Sequence, residues 1–336
     1  MTSAPAAPLS RPEWRHWHPV ALERELGLRP KQVSLLGQDL VLFRTASGAL
    51  GALLDACPHR RMSLASGHVA GECVVCPYHG FRFDPAGRGA SPGTPQMRLD
   101  ALALEVRAAW GAIWVRRAGA DTAMPELDRP GRYFAGVMAH TVQSPLEPLV
   151  DNFCEVEHTP TTHALFGYRD GSLESIAVDV TTTPDSVRVL NVGPQKQIPW
   201  LVERAFGVRS GDTFTDDWVV RFSPVHILYD QSWADPATGA ARADSVHPAV
   251  VFTPTEADET RIFTFVWTNR APWGRGGLDL LLQPVLRAIV AREVRLDRAM
   301  VERLADQDPD LRGTRLGRFD AALREHRKRI AALYRA

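Results

Sequence analysis

The chain has 336 residues, with 39 Lys plus Arg against 39 Asp plus Glu and a formal net charge of zero. That balance gives no electrostatic case for nucleic acid or an anionic membrane surface, and the length suits two domains or one large one. Four cysteines follow an N-terminus with no basic segment leading into an apolar run. They point to reduced thiols in a cytoplasmic protein, and to metal binding or catalysis over a disulfide framework.

In chain order, residues 1–13 read as a disordered lead-in. From 14 to 117, short β-rich runs such as QVSLLG, DLVLFRT, ECVVCPY and AIWVRR are punctuated by Gly and Pro, which predicts a small all-β domain. Residues 118–131, AGADTAMPELDRPG, read as a linker. In 132–336 a helical motif, LVDNFCEVEHTPTTHALFG, precedes the runs SIAVDVTTT, SVRVLNVG, DWVVRFSPVHILYDQSW and TRIFTFVWTN. These predict an antiparallel sheet with long connections. From Pro284 the pattern turns helical to the end, with Pro284 as the first helical residue. The expected class is therefore α+β. The run LDLLLQPVLRAIVA, broken by Asp279, Gln283, Pro284 and Arg287, is too short to span a bilayer. The basic C-terminal segment reads as an amphipathic packing helix, with a docking surface for an acidic ferredoxin as the alternative.

Two clusters carry chemistry. The first holds two short ligand pairs, Cys57-x-His59 and Cys76-x-x-His79, each set among turn formers. A common zinc finger takes two cysteines and then two histidines, whereas here each loop offers one thiolate and one imidazole. The alternating order suits a [2Fe–2S] cluster with two cysteines on one iron and two histidines on the other. A zinc ribbon is the competing reading. Cys73 makes a Cys73-x-x-Cys76 pair that we read as coincidental, with Cys73 packed in the strand before the loop.

The second cluster is Asn152, Glu155, His158 and His163. On a helix the first three face roughly one side, and a kink at Pro160 brings the two imidazoles to one point. Two histidines with a carboxylate from elsewhere make the facial triad of non-haem Fe(II) oxygenases. Asp297 lies on the apolar stripe of the late helix, where a lone carboxylate is costly unless paired or bound to metal. The competing reading is an ion pair with Arg298 or another arginine. Cys154, inside the motif, reads as a small buried apolar residue.

Together, C-P-H-R, C-P-Y-H-G-F-R-F, Asn152-x-x-Glu155-x-x-His158-x4-His163 and Asp297-Arg-Ala-Met-Val-Glu resemble the oxygenase component of the Rieske non-haem iron oxygenases, over most of the chain. The resemblance implies a Rieske [2Fe–2S] domain over 14–117. It implies a helix-grip catalytic domain over 132–336, with mononuclear Fe(II) held by His158, His163 and Asp297. It also implies a head-to-tail homotrimer in which Glu155 bridges the His79 of one copy to the His158 of the next, with Asn152 supporting the site. Most members have Asp at the bridging position, where this chain has Glu155. The implied activity is hydroxylation or oxidative dealkylation of a small organic substrate with O2 and electrons from NAD(P)H. A flavin reductase delivers the electrons, with or without a ferredoxin. The short chain resembles the homotrimeric monooxygenase and demethylase branch, and cis-dihydroxylation is the alternative. From another class, an electron carrier or a structural zinc protein would leave the second ligand set unexplained. His226, Gln231, His247 and Asn269 are candidate pocket residues, and the segment around 195–213, with Trp200 and Phe206, is a candidate lid.

Overall fold

The computed structural model describes residues 9, 11–308 and 310–334. Of the lead-in expected over 1–13, residues 1–8 and 10 lie outside the described residues, and Pro12 already opens a 3-10 turn that runs to Arg15. The chain divides into two compact units, one of residues 1–125 with 253–257 and one of 126–252 with 258–335. Residues 118–132 hold neither helix nor strand, and the boundary between the units falls inside that stretch.

The first unit is built of ten short strands in three small sheets. Strands β1 (His18–Leu22), β10 (Ala112–Arg117) and β9 (Leu104–Ala109) make one sheet, and β2 (Lys31–Leu35), β3 (Gln38–Arg44) and β4 (Leu50–Leu54) make the second. Strands β5 (His68–Ala70), β6 (Cys73–Val75), β7 (Arg82–Phe83) and β8 (Gly89–Ala90) make the third. Val41, Phe43, Leu53, Leu64, Val74, Phe81 and Phe83 form a buried cluster that also takes in Cys57 and Cys76. The two thiols therefore sit at the edge of an apolar core that exists without them.

The second unit carries a seven-stranded sheet in the order β11 (Tyr133–Val142), β17 (Glu259–Thr268), β16 (Ala241–Glu256), β15 (Val225–Ala234), β14 (Thr213–Phe222), β13 (Ser186–Pro194) and β12 (Ala177–Thr182). The β11–β17, β15–β16, β14–β15, β13–β14 and β12–β13 pairs are antiparallel. Burial alternates strictly along most of β14, so Phe214, Asp216, Trp218, Val220 and Phe222 share the inward face. Helix α4 (Leu278–Val301) packs against β11 and against two short helices, α1 (Leu146–Phe153) and α2 (Thr159–Thr162). Helix α3 (Trp200–Phe206) lies in the long connection after β13, and α5 (Leu323–Tyr334) closes the unit by packing on α1 and β14. The fold is α+β, with antiparallel sheets and few helices. No helix of the described residues is long and apolar enough to cross a membrane.

Two helix expectations are corrected. The motif at 149–167 is two helices instead of one kinked helix. Helix α1 stops at Phe153, Cys154–His158 is non-helical, and Pro160 lies in the first turn of α2. A proline is tolerated in a first turn, where its missing N–H has no intrahelical partner to lose. Helix α4 starts at Leu278, six residues before the expected Pro284, which lies inside it. Asp279 in the first turn, paired with Arg270 and Arg275, anchors that earlier start. Nor is the chain helical from there to its end, since the described residues between 302 and 317 form no helix.

Gly67 tests the packing around the Cys76 loop. A Cβ there would lie 2.0 Å from the carbonyl oxygen of Val75, a backbone atom that cannot swing away. Gly67→Ala is expected to destabilise the first unit by about 1–3 kcal/mol, as overpacking does. Chemical denaturation followed by tryptophan fluorescence measures it, and an unchanged midpoint would contradict the packing.

Candidate metal centres

In the first unit, two loops present the four residues singled out from the sequence, and the loops share one backbone design. Cys57 N donates to Met62 O at 2.8 Å and Arg61 N to Cys57 O at 2.7 Å. In the second loop Cys76 N donates to Phe81 O at 2.8 Å and Gly80 N to Cys76 O at 3.1 Å. The fourth residue after each cysteine is left-handed, Arg61 at φ 61° and Gly80 at φ 71°. Glycine takes that conformation at no steric cost, while Arg61 is held there against it.

Both cysteines are buried, and both histidines are half-exposed. The imidazole centroids of His59 and His79 are 4.7 Å apart, and His59 stacks on Phe81 at 4.8 Å. Burial pushes the Cys57 thiol up, and hydrogen bonding to Cys76 pushes the same way. His59 Nδ1 is buried without a hydrogen-bond partner. Two thiols inside, two imidazoles at the rim and an orphaned ring nitrogen fit a cluster of two irons with two ligands each. Cys73 opens strand β6, away from the loop turn.

In the second unit, Asn152 lies on α1, Glu155 in the break after it, His158 at the N-cap of α2 and His163 at its C-cap. Asp297 and Glu293 lie on the buried stripe of α4, with Leu286, Val290, Val294 and Val301. His158 Nε2 and His163 Nε2 are 3.0 Å apart, and Asp297 Oδ1 is 3.2 Å from the first and 3.3 Å from the second. One ligand atom from each of the three lies within 4.8 Å of the others. Arg298 pairs with Glu302 instead of Asp297, so the ion-pair reading of Asp297 is not realised.

The surroundings hold those three groups. Asn152 Nδ2 donates to Asp297 Oδ1 at 3.0 Å. A Glu155 carboxylate oxygen takes the Nδ1 side of His158, and its other oxygen accepts the His158 backbone N–H at 3.3 Å. Glu293 Oε2 accepts from Ala164 N at 3.1 Å and lies 2.8 Å from His163 Nδ1, although that approach is not aligned as a hydrogen bond. The Lys196 ammonium donates to three carbonyls of the ligand loop, Thr159 O at 3.1 Å, Pro160 O at 3.0 Å and His163 O. A single cation thus gathers the last turn of α2.

Burial works against charging His158, yet hydrogen bonds to Asp297 and Glu155 outweigh it and raise its pKa to about 10. Burial likewise opposes charge on His163, and the Asp297 carboxylate raises it to about 9. Burial would raise Asp297, but the two imidazoles hold it at about 2. A site with this field favours positive charge between the imidazoles and the carboxylate. A divalent cation that displaces the ring protons meets the same demand, so the donor set fits a metal with open positions.

A cavity of about 100 Å³ opens on this triad, lined among others by Phe153, Phe166, Asp216, Trp218, Gln231 and Val294. Of the four residues expected to line a pocket, Gln231 does so here. The other three are corrected. His226 is buried against Pro224 O at 2.7 Å, with burial lowering its pKa to about 4. His247 is tied to Asp230 at 2.6 Å and to Ser245 at 2.8 Å. Asn269 bonds the backbone of Ser245 and Ala243. None of the three lines this cavity, and each makes internal hydrogen bonds, although His226 Nε2 is buried without a partner. Phe206 lines a separate apolar cavity and Trp200 is exposed. Sequence reading missed Glu293, Lys196 and Asp216. Glu293 stands four residues before Asp297 on the same stripe, and Asp216 interrupts the apolar alternation of β14, so both left a signal.

The comparisons with known proteins follow this geometry. Residues 16–103 match the Rieske [2Fe-2S] domain, and residues 142–336 match the vanillate O-demethylase oxygenase C-terminal domain. The chain belongs to the Rieske non-haem iron oxygenases. It is 27% identical over 301 residues to the oxygenase component of dicamba O-demethylase from Stenotrophomonas maltophilia, covering 85% of this chain and 86% of that protein. It is 32% identical over 191 residues to the 4beta-methylsterol monooxygenase of Methylococcus capsulatus, covering 52% of this chain and 50% of that one. The chain thus spans about half the length, or less, of several curated relatives it matches. The crystal structure of dicamba monooxygenase bound to 3,6-dichlorosalicylic acid superposes with a TM-score of 0.80 at 22% identity, covering 96% of this chain and 98% of that one. It shares the fold.

The Glu293 contact predicts a selective effect. Glu293→Gln is expected to weaken mononuclear metal affinity by about 10–100-fold, as loss of a carboxylate behind a ligating histidine does. The iron and sulfide of the first unit should stay. Metal titration of the apoprotein against total sulfide measures both.

Proposed function

We propose that the chain is the terminal oxygenase of a Rieske-type system that hydroxylates, or oxidatively demethylates, a small organic substrate with O2. The observation that carries this is the convergence of His158, His163 and Asp297 at the floor of one cavity. The monooxygenase and demethylase named among the relatives support it. Iron at this triad would supply dioxygen activation beside the substrate.

The chain's own residues do the remaining work. Glu155 holds His158 by its outer nitrogen, and Lys196 fixes the carbonyls that orient His163. Phe153, Phe166, Val250, Val290 and Val294 make the walls apolar and keep water from the reacting carbon. Electrons originate in NAD(P)H and arrive through a flavin reductase, directly or by way of a ferredoxin. We further propose the head-to-tail homotrimer, in which Glu155 accepts a hydrogen bond from the His79 of the neighbouring copy. Glu155 also lines a second, open depression with Glu157, Asp310 and Arg312, so it faces outward as well as toward His158.

Three measurements test this. His158→Ala should abolish mononuclear iron and product formation while leaving the visible spectrum of the cluster unchanged; loss of the cluster as well would contradict two separate centres. Glu155→Gln should retain both metals and slow single-turnover electron transfer, and an unchanged rate would remove the bridge. Turnover under labelled dioxygen should place one oxygen atom in the organic product or its released carbon fragment. Two atoms in the product would reassign the reaction to dihydroxylation.

A further inference from the structure

Asp216 is a buried carboxyl on the wall of the metal-site cavity. It stands on the inward face of β14 between Phe214 and Trp218, where alternation otherwise places apolar groups. Its hydrogen-bond partner among the described residues is Gln231, its cross-strand neighbour on β15, whose Nε2 donates to Oδ1 at 3.1 Å. Among the described residues, no lysine or arginine lines the cavity, and the positive charge that acts on Asp216 there is that of the His163 and His158 imidazoles. A buried acid whose hydrogen bond is to a neutral amide is expensive to keep, so an acid at this position calls for an explanation beyond the fold. Two further groups of the same wall, Trp218 Nε1 and Thr264 Oγ1, are buried without any hydrogen-bond partner. Polar groups set among apolar ones on a cavity wall are the usual means by which a pocket fixes its ligand.

We propose that Asp216 is the specificity residue of this cavity, taking an O–H or N–H donor of a largely apolar substrate and turning away molecules that carry a carboxylate there. The assignment rests on the oxygenase reading of the same cavity. Burial raises the Asp216 carboxyl to about 7, against the pull of the Gln231 amide and of the His163 and His158 imidazoles. It is therefore suited to a neutral hydroxyl as well as to an ammonium donor. A carboxylate placed against the ionised carboxyl would meet a like charge and would bind only with Asp216 protonated, whereas a hydroxyl or an ammonium binds the ionised form as well.

Binding of benzyl alcohol, benzylamine and benzoate to the iron-loaded protein, measured by calorimetry without oxygen, tests this. The wild-type protein should bind the alcohol or the amine at least about tenfold more tightly than benzoate, the size of effect expected when a site leaves a polar group unpaired. Asp216→Asn should shrink that ratio to within about threefold. Benzoate binding as well as the donors, no binding by any of the three, or an unchanged ratio in the variant would each overturn the assignment. The wild-type ratio decides even if the variant does not fold. Calorimetry is also independent of oxygen chemistry. A protein that shows the preference but consumes no O2 with any substrate would cost the oxygenase reading and leave this one. A protein that turns over O2 yet prefers benzoate would cost this one alone.

Discussion

The second unit is organised around the charge of Asp297. A carboxylate 5% exposed on the inner stripe of α4 must be compensated where it stands. His158 and His163 do this from one side and the Asn152 amide from another. Those partners come from a segment more than 130 residues earlier in the chain, so the contact also fixes how α1 and α2 lie on α4. Removing one partner of such a buried set costs about 3–5 kcal/mol, because the remaining charge is left in a poor solvent. The candidate metal site and the docking of three helices therefore share the same contacts, and the break between α1 and α2 serves both. A continuous helix would carry His163 round the cylinder and away from His158.

Lys196 solves the problem that break creates. Helix α2 has only four residues, too short to hold itself by internal bonds, and its last carbonyls point out of the ladder. One ammonium accepted by three of those carbonyls replaces the missing turn. Its charge is also of the sign that a helix C-terminus favours. Glu293 completes the arrangement by engaging the Ala164 N–H just after His163. The ligand loop is thereby held by ion–dipole and hydrogen-bond contacts and needs no long element of its own.

What the sequence showed and what it hid follow from range. The four residues of the first centre were legible because their spacing is local and each pair falls in one turn. His158 and His163 were legible for the same reason, and Asp297 because an acid breaks an apolar stripe. The course of the backbone through the motif was less so, since the three-residue spacing of Asn152, Glu155 and His158 suggests a continuous helix, whereas α1 stops at Phe153 and the loop after it brings Glu155 and His158 to the site. The wall of the cavity was the least legible part. His226, His247 and Gln231 all sit on strands of the same sheet, and only the packing of α4 decides which of them faces a cavity and which a core. Lys196 gave no signal at all, because a lysine in a polar loop looks the same whether it is solvated or caps a helix three elements away.

The two kinds of residue in the second centre are divided between two kinds of element. Every candidate ligand and every group that holds one, Asn152, Glu155, His158, His163, Lys196, Glu293 and Asp297, comes from helices or from the connections beside them. Asp216, Trp218 and Thr264, which line the cavity, come from strands. A strand offers its inward side chains one at a time, at alternate positions, without altering the backbone bonds that hold the sheet. The hydrogen bond of Asp216 runs to Gln231 on the neighbouring strand, whereas those of Lys196 and Glu293 run to the loop that carries His163. This separation lets the cavity's preference for a donor-bearing substrate vary without moving the groups at its floor.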